Sequence, residues 1–163
     1  MTDSPPLVYL DACVFLEVLQ QRHGHWRESF KALRAAERGD IRLVASRLLA
    51  VEVGRFRGDA SQPEVDQLIL QYLDNVGARW AEVDLIISRD ARALSWKHGI
   101  KSGADAVHLA TAVRLRADVF MSRNGGFPYG QKIEATLVTE PKVVWTPTLD
   151  DASIDVEQEP SLL

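Results

Sequence analysis

Three acidic residues interrupt otherwise apolar stretches of the chain: Asp11 in LVYLDACVFL, Glu52 in LLAVEVGRF and Asp105 in SGADAVHLATA. An ionised carboxylate is costly in such surroundings unless it is paired, hydrogen-bonded or bound to a metal. Carboxylates brought together repel and raise one another's pKa unless a cation sits between them. Oxygen ligands without a His or Cys cluster suit a hard cation, Mg2+ or Mn2+, rather than zinc. Asn124, on the loop Arg123–Gly126 (RNGG), adds a neutral oxygen to the set. Sites of this composition use one or two metals to activate water and stabilise in-line displacement at phosphorus. Each acid also has a purely structural reading. Asp11 and Asp105 can serve helix starts, and Glu52 can pair with Arg47 or Arg55 on its own helix.

Whether the acids meet depends on the elements that carry them. Leu7–Leu10 reads as a buried strand, and Ala12–Arg22 as the helix after it. A second helix, His25–Arg38, places Trp26, Phe30 and Leu33 on one face, and Gly39 ends it. Ile41–Ala45 is the next strand; Ser46 then caps a helix over Arg47–Arg57, which carries Glu52. Ser61 and Glu64 have capping-box spacing ahead of a stripe through Leu68, Ile69, Tyr72 and Leu73. Arg79–Val83 is a short edge strand, and Asp84 caps a helix that runs to His98 and closes at Gly99. Ser102 and Asp105 open a strongly apolar helix, Lys101–Leu115, whose positive N-terminal end stabilises the Asp105 charge. Asp118–Ser122 is a strand with RNGG at its carboxyl end, and Lys142–Trp145 is read as the last strand. Residues 127–141 read as loop with at most one helical turn. Strands alternating with helices predict a three-layer α/β/α domain with a central parallel sheet of four to five strands. In such a sheet all three acids lie at one edge, where open α/β sheets bind ligands.

At 163 residues the chain is one domain, with a single cysteine and therefore no internal disulfide framework. No apolar run approaches the roughly 18 residues a membrane helix needs, and MTDSPPLVYLD is not a secretory signal, so a cytoplasmic location is expected. The net charge of −4 is unevenly spread: residues 150–163 carry five acids and no Lys or Arg, which leaves +1 for residues 1–149. The reading is a folded domain over 1–149 with a mobile acidic tail over 150–163. The net charge neither favours nor excludes a polyanionic substrate.

From Leu7 to Trp145 the chain resembles the PIN-domain family, particularly the ribonuclease toxins of VapBC-type toxin–antitoxin modules. The resemblance rests on four stretches in family order: VYLDACVFL, SRLLAVEV, SGADAVHLATA and FMSRNGGF. It implies a Mg2+-dependent endoribonuclease, with Mn2+ as a substitute, that hydrolyses RNA by metal-activated water. It also implies a cognate antitoxin protein as partner and a homodimer. By the same resemblance Asp11, Glu52 and Asp105 hold the metal, Asn124 completes the coordination or orients water, and Ser122 supports the loop. Arg55, Lys101 and Arg123 are the candidates for gripping RNA from their proximity in sequence, against the alternative of solvated surface charge.

Two departures from the family pattern bear on function. The fourth acidic position is Asn124, and Gly126 stands where a further Asp often precedes the Phe, so the loop brings no negative charge to a second metal. Cys13 replaces a hydroxyl or amide residue and reads as a small hydrophobe rather than a ligand or nucleophile. A catalytically weakened or inactive PIN-like binding module is therefore the alternative, and a structure-specific DNA nuclease of related fold is a third reading. His108 shares a helical face with Asp105 and reads as a core or supporting histidine rather than a general base. No glycine-rich nucleotide-binding loop follows any strand.

Overall fold

The computed structural model describes residues 4–21, 24–53 and 62–155. Strand β1 (Leu7–Leu10) passes through Asp11 into helix α1 (Ala12–Gln20), and α2 (Trp26–Arg38) follows. Gly39 closes α2 at φ 80°, a conformation glycine adopts without the Cβ penalty, with its N–H on the Ala35 and Ala36 carbonyls. Strand β2 (Arg42–Ser46) runs straight into α3 (Arg47–Val53), where the Ser46 hydroxyl accepts from the Leu48 N–H at 3.1 Å. The continuation of this helix to Arg57, and Ser61 of the expected capping box, lie outside the described residues. Next come α4 (Gln62–Asn75), β3 (Arg79–Ala81) and α5 (Leu85–His98), the last capped by Asp84, which accepts from the Ile87 N–H at 2.8 Å. Helix α6 (Gly103–Arg114), β4 (Val119–Met121), β5 (Lys132–Ile133), β6 (Thr136–Thr139) and α7 (Leu149–Ile154) complete the order.

The six strands lie in the order β3-β2-β1-β4-β6-β5, all parallel except β5, which runs antiparallel to β6. Successive side chains on a strand point to opposite faces, so each central strand feeds two cores. Val8, Leu10, Leu43, Ala45, Val119 and Met121 face one core, built with α1 to α4. Tyr9, Val44 and Phe120 face the other, built with α5 and α6. This is the expected three-layer arrangement, with β1 at its centre. The Asp11 N–H donates to the Met121 carbonyl at 3.0 Å, so the β1–β4 ladder holds the backbone of the first acid itself.

Two expectations are corrected. The last strand is β6, inside the segment read as loop, and Lys142–Trp145 forms no strand. Hydroxyl residues at both ends of β6 (TLVT) hide it in the sequence, yet Thr136 is buried because its hydroxyl donates to the Ala117 carbonyl at 2.7 Å. Val143, Val144 and Trp145 instead pack as an extended segment on the α1–α4 core, between Pro141 and Pro147. The second correction concerns residues 150–155 of the expected mobile tail. They begin in α7, whose Asp151 and Ile154 are buried. Asp151 accepts from Arg38 at 2.9 Å, from the Trp145 ring N–H at 3.0 Å and from the Thr148 N–H at 2.9 Å.

Burial alone would raise the Asp151 carboxyl, but these donors, Thr148 first, hold it below the ordinary carboxylate value. A carboxyl depressed in the folded state contributes stability above its unfolded pKa, and that contribution disappears as pH falls through the folded value. Asp151→Asn should therefore lower unfolding free energy in urea by about 2 kcal/mol at pH 7. The gap to the parent protein should narrow as both are acidified below the unfolded carboxylate value of about 3.9. A gap that stays constant throughout acid unfolding would show that the Asp151 charge contributes nothing.

Candidate active site

Asp11 sits where β1 ends and α1 begins, with 1% of its surface exposed. It is helix cap and site residue at once. Its Oδ1 accepts from the Ala12 N–H at 2.8 Å, and its Oδ2 accepts from the Ser122 hydroxyl at 2.7 Å. Ser122 follows β4 and is held by its own N–H on the Thr139 carbonyl at 3.1 Å. The Ser122 oxygen also accepts from the Asn124 N–H at 3.1 Å, which turns the exposed Asn124 side chain back over the cluster. The Asn124 side-chain amide then donates to Asp11 Oδ2 and to Asp105 Oδ1, both at 3.3 Å. Asp105 lies in the first turn of α6, after the Ser102 cap, and is partly buried. One amide group thus links two carboxylates supplied by elements 94 positions apart in the chain.

Glu52 comes from α3 and meets His108 of α6, with Oε2 2.5 Å from Nε2. On its other side the His108 ring lies 2.5 Å, Nδ1 to oxygen, from the hydroxyl of Tyr9 on β1. His108 Nε2 is 3.8 Å from Asp11 Oδ1. One ligand atom each from Asp11, Glu52 and His108 falls within 4.8 Å of the others. All four residues expected in the site, Asp11, Glu52, Asp105 and Asn124, are therefore connected through direct contacts or a single bridging side chain.

The electrostatics are those of negative charge without its counter-charge. Among the described residues no Lys or Arg pairs with Asp11, Glu52 or Asp105. Arg47 pairs with Glu82 at 3.2 Å, which removes one of the two partners considered for Glu52. Burial, and after it the Asp11 charge, pushes the Asp105 carboxyl above its ordinary value, against the Asn124 hydrogen bond. Burial works to lower the His108 pKa, yet the Glu52 hydrogen bond and the three surrounding carboxylates carry it above the ordinary value. Each shift has the direction that a nearby cation would relieve.

The basic residues divide. Arg123 is drawn away from the cluster: it donates to Glu17 at 3.0 Å and to the His25 carbonyl at 3.2 Å. Its role here is to fasten the loop after β4 to α1. Lys101 is exposed at the entry to α6, and Arg55 lies outside the described residues. The contact that sequence reasoning left unassigned is His108 to Glu52. The only hint was the spacing of three residues that puts His108 beneath Asp105 on α6.

The family model of the PIN domain matches residues 8–130. No curated protein sequence matches the chain. Among solved structures, a toxin–antitoxin complex from Klebsiella pneumoniae is similar at a TM-score of 0.58 and 21% identity, over 80% of this chain and 95% of that one. VapBC2 from Rickettsia felis, bound to a DNA fragment from its promoter, is similar at 0.57 and 12% identity, over 82% and 98%. FitAcB from Neisseria gonorrhoeae is similar at 0.53 and 20% identity, over 82% and 97%. These likenesses concern the fold.

Cys13 stands beside Asp11, with its sulfur 3.3 Å from the Ser122 hydroxyl and accepting from the Arg123 N–H at 3.2 Å. Burial, then the Asp11 charge, pushes its thiol up to about 12. At pH 8 it is almost entirely protonated, whereas an unfolded thiol ionises near pH of about 8.5. Alkylation by iodoacetamide at pH 8 should be at least about 100-fold slower in the native protein than in urea. Rates within tenfold of each other would identify Cys13 as a reactive thiolate.

Proposed function

The chain belongs to the PIN-domain family of nucleases, and we propose that it is a Mg2+-dependent endoribonuclease, the toxin of a VapBC-type toxin–antitoxin pair. The observation that carries the reading is that Asp11 and Glu52 meet at His108 while Asn124 links Asp11 to Asp105, the three acids coming from three separate elements with no Lys or Arg partner among the described residues. An all-carboxylate group with an amide beside it fits a hard divalent cation. Asp11, Glu52 and Asp105 would hold it, with Mn2+ as a substitute, and Asn124 would stand at its open side. When bound, such an ion neutralises the charge developing on phosphate and makes water nucleophilic near neutral pH.

The protein's own contribution is placement. Asp11 is immobilised by four donors, from Ala12, Ser122, Asn124 and Cys13, so its carboxylate cannot swing away from the edge of the sheet. Glu52 is braced from α6, and Asp105 is set by the first turn of that helix. Placement before the reaction removes the entropy of assembling these groups during it. RNA as substrate rests on the likeness of the four motif stretches to ribonuclease toxins. An antitoxin partner draws support from the toxin–antitoxin complex similar to this chain. Homodimerisation is part of the same proposal.

A second reading, a PIN-like module that binds without cleaving, is favoured by one observation. The side chain at the fourth position gives an N–H to Asp11 and Asp105, where an acid would add charge. The two readings part on metal and turnover. Purified protein with Mg2+ or Mn2+ should cleave single-stranded RNA, prefer it to flapped DNA, and lose cleavage on chelation. Asp11→Asn should bring cleavage below detection while retaining the fold. Equal cleavage by both proteins would sink the nuclease proposal, and failure of the parent protein to bind Mn2+ in calorimetry would favour the binding module. Asn124→Asp should tighten Mn2+ binding by about tenfold, as expected for one added charged ligand near the site.

A further inference from the structure

We propose that His108 is a positioning residue that donates its Nε2–H to Glu52 and fixes that carboxylate beside Asp11, its own ring being oriented by Tyr9. This deepens the nuclease reading and rests on it. Glu52 rides on a helix of seven described residues with its side chain 23% exposed, and among the described residues His108 is its hydrogen-bond partner. A glutamate there has three rotatable bonds and water on one side. Without a brace it loses the site to solvent for most of its rotamers.

The direction of the brace follows from the acceptor in front of it. A carboxylate oxygen can only accept, so the 2.5 Å contact of Nε2 with Glu52 Oε2 puts a ring proton on Nε2. On the other side of the ring Nδ1 lies 2.5 Å from the Tyr9 hydroxyl, which fixes the plane of the imidazole. Tyr9 and His108 are both fully buried, so no water competes for these contacts. A nitrogen that carries a proton has no lone pair to give, so His108 supports the carboxylates and does not join them as a ligand. Helix α6 thereby does two things: its first turn supplies Asp105, and the next turn holds Glu52, which belongs to another helix.

His108→Leu, which removes both ring nitrogens, should weaken Mn2+ binding by at least about tenfold in calorimetry with the circular dichroism spectrum retained. His108→Gln, whose amide can donate to Glu52, should recover affinity to within about threefold of the parent. Tyr9→Phe keeps the ring and removes only the orienting hydroxyl; it should weaken Mn2+ binding and carries the test if His108→Leu does not fold. Pulsed electron paramagnetic resonance of the Mn2+-loaded protein should show no directly coordinated imidazole nitrogen. In the metal-free protein, nitrogen NMR of labelled histidine should place a proton on Nε2 of His108. Parent-like affinity in a folded His108→Leu or in Tyr9→Phe, direct imidazole coordination, or an unprotonated Nε2 would each overturn the proposal. Absence of Mn2+ binding or RNA cleavage by the parent protein would overturn the nuclease reading instead, leaving NMR to decide the His108–Glu52 contact independently.

Discussion

A carboxylate with 1% of its surface exposed at the end of a central parallel strand is the constraint around which the molecule is arranged. Such a charge is tolerated only if its lone pairs are met by donors. Asp11 receives them from its own helix through Ala12 and from the β4 end through Ser122 and Asn124. Those donors tie together the ends of two adjacent strands and the start of a helix. The demand for hydrogen bonds around one charge is thus also what aligns the edge of the sheet. A cation at that edge would complete the compensation that neutral donors leave unfinished, since Asp105 and His108 are both displaced in the direction of excess negative charge.

The parallel sheet explains how distant segments reach that edge. Each parallel strand ends on the same side, and the connections from β1 to β2, β2 to β3 and β3 to β4 return by helices, so strand-end residues collect there without any one segment carrying the site. Strand β1 contributes Asp11, the helix after β2 contributes Glu52, and the loop after β4 contributes Ser122 and Asn124. Helix α6 adds Asp105 and His108 from one face of the lower layer. The alternation of side chains along β1 serves both needs. Leu10 packs into one core while Tyr9 enters the other and reaches His108.

Charge placement away from the edge is equally specific. Arg123, adjacent in sequence to Asn124, spends its guanidinium on Glu17 and the His25 carbonyl, where it anchors the loop instead of contacting the carboxylates. Nearness in sequence to an acidic site therefore says little about whether a basic side chain faces it. At the far end of the chain, Asp151 plays for α7 the part that Asp11 plays for the sheet: a buried carboxylate whose donors, from Arg38, Trp145 and Thr148, dock one element onto another.

The sequence by itself determined the layered α/β class, the positions of most helices and the three acids. These follow from local physics: apolar periodicity, Ser102 and Asp84 as caps, Gly39 and Gly99 as stops, and the anomaly of a charge inside an apolar run. Strand β6 escaped because two buried threonines read as polar until the Ala117 carbonyl is placed beside Thr136. The order of α7 escaped because its acids read as solvated charge until Arg38 and the Trp145 ring are brought against Asp151. Only the tertiary structure decided that Glu52 turns to His108 and not to Arg47, and that Tyr9 holds the other side of the imidazole. Such contacts join residues tens of positions apart through groups that each have several possible partners, and only the packed arrangement of the helices on the sheet selects one.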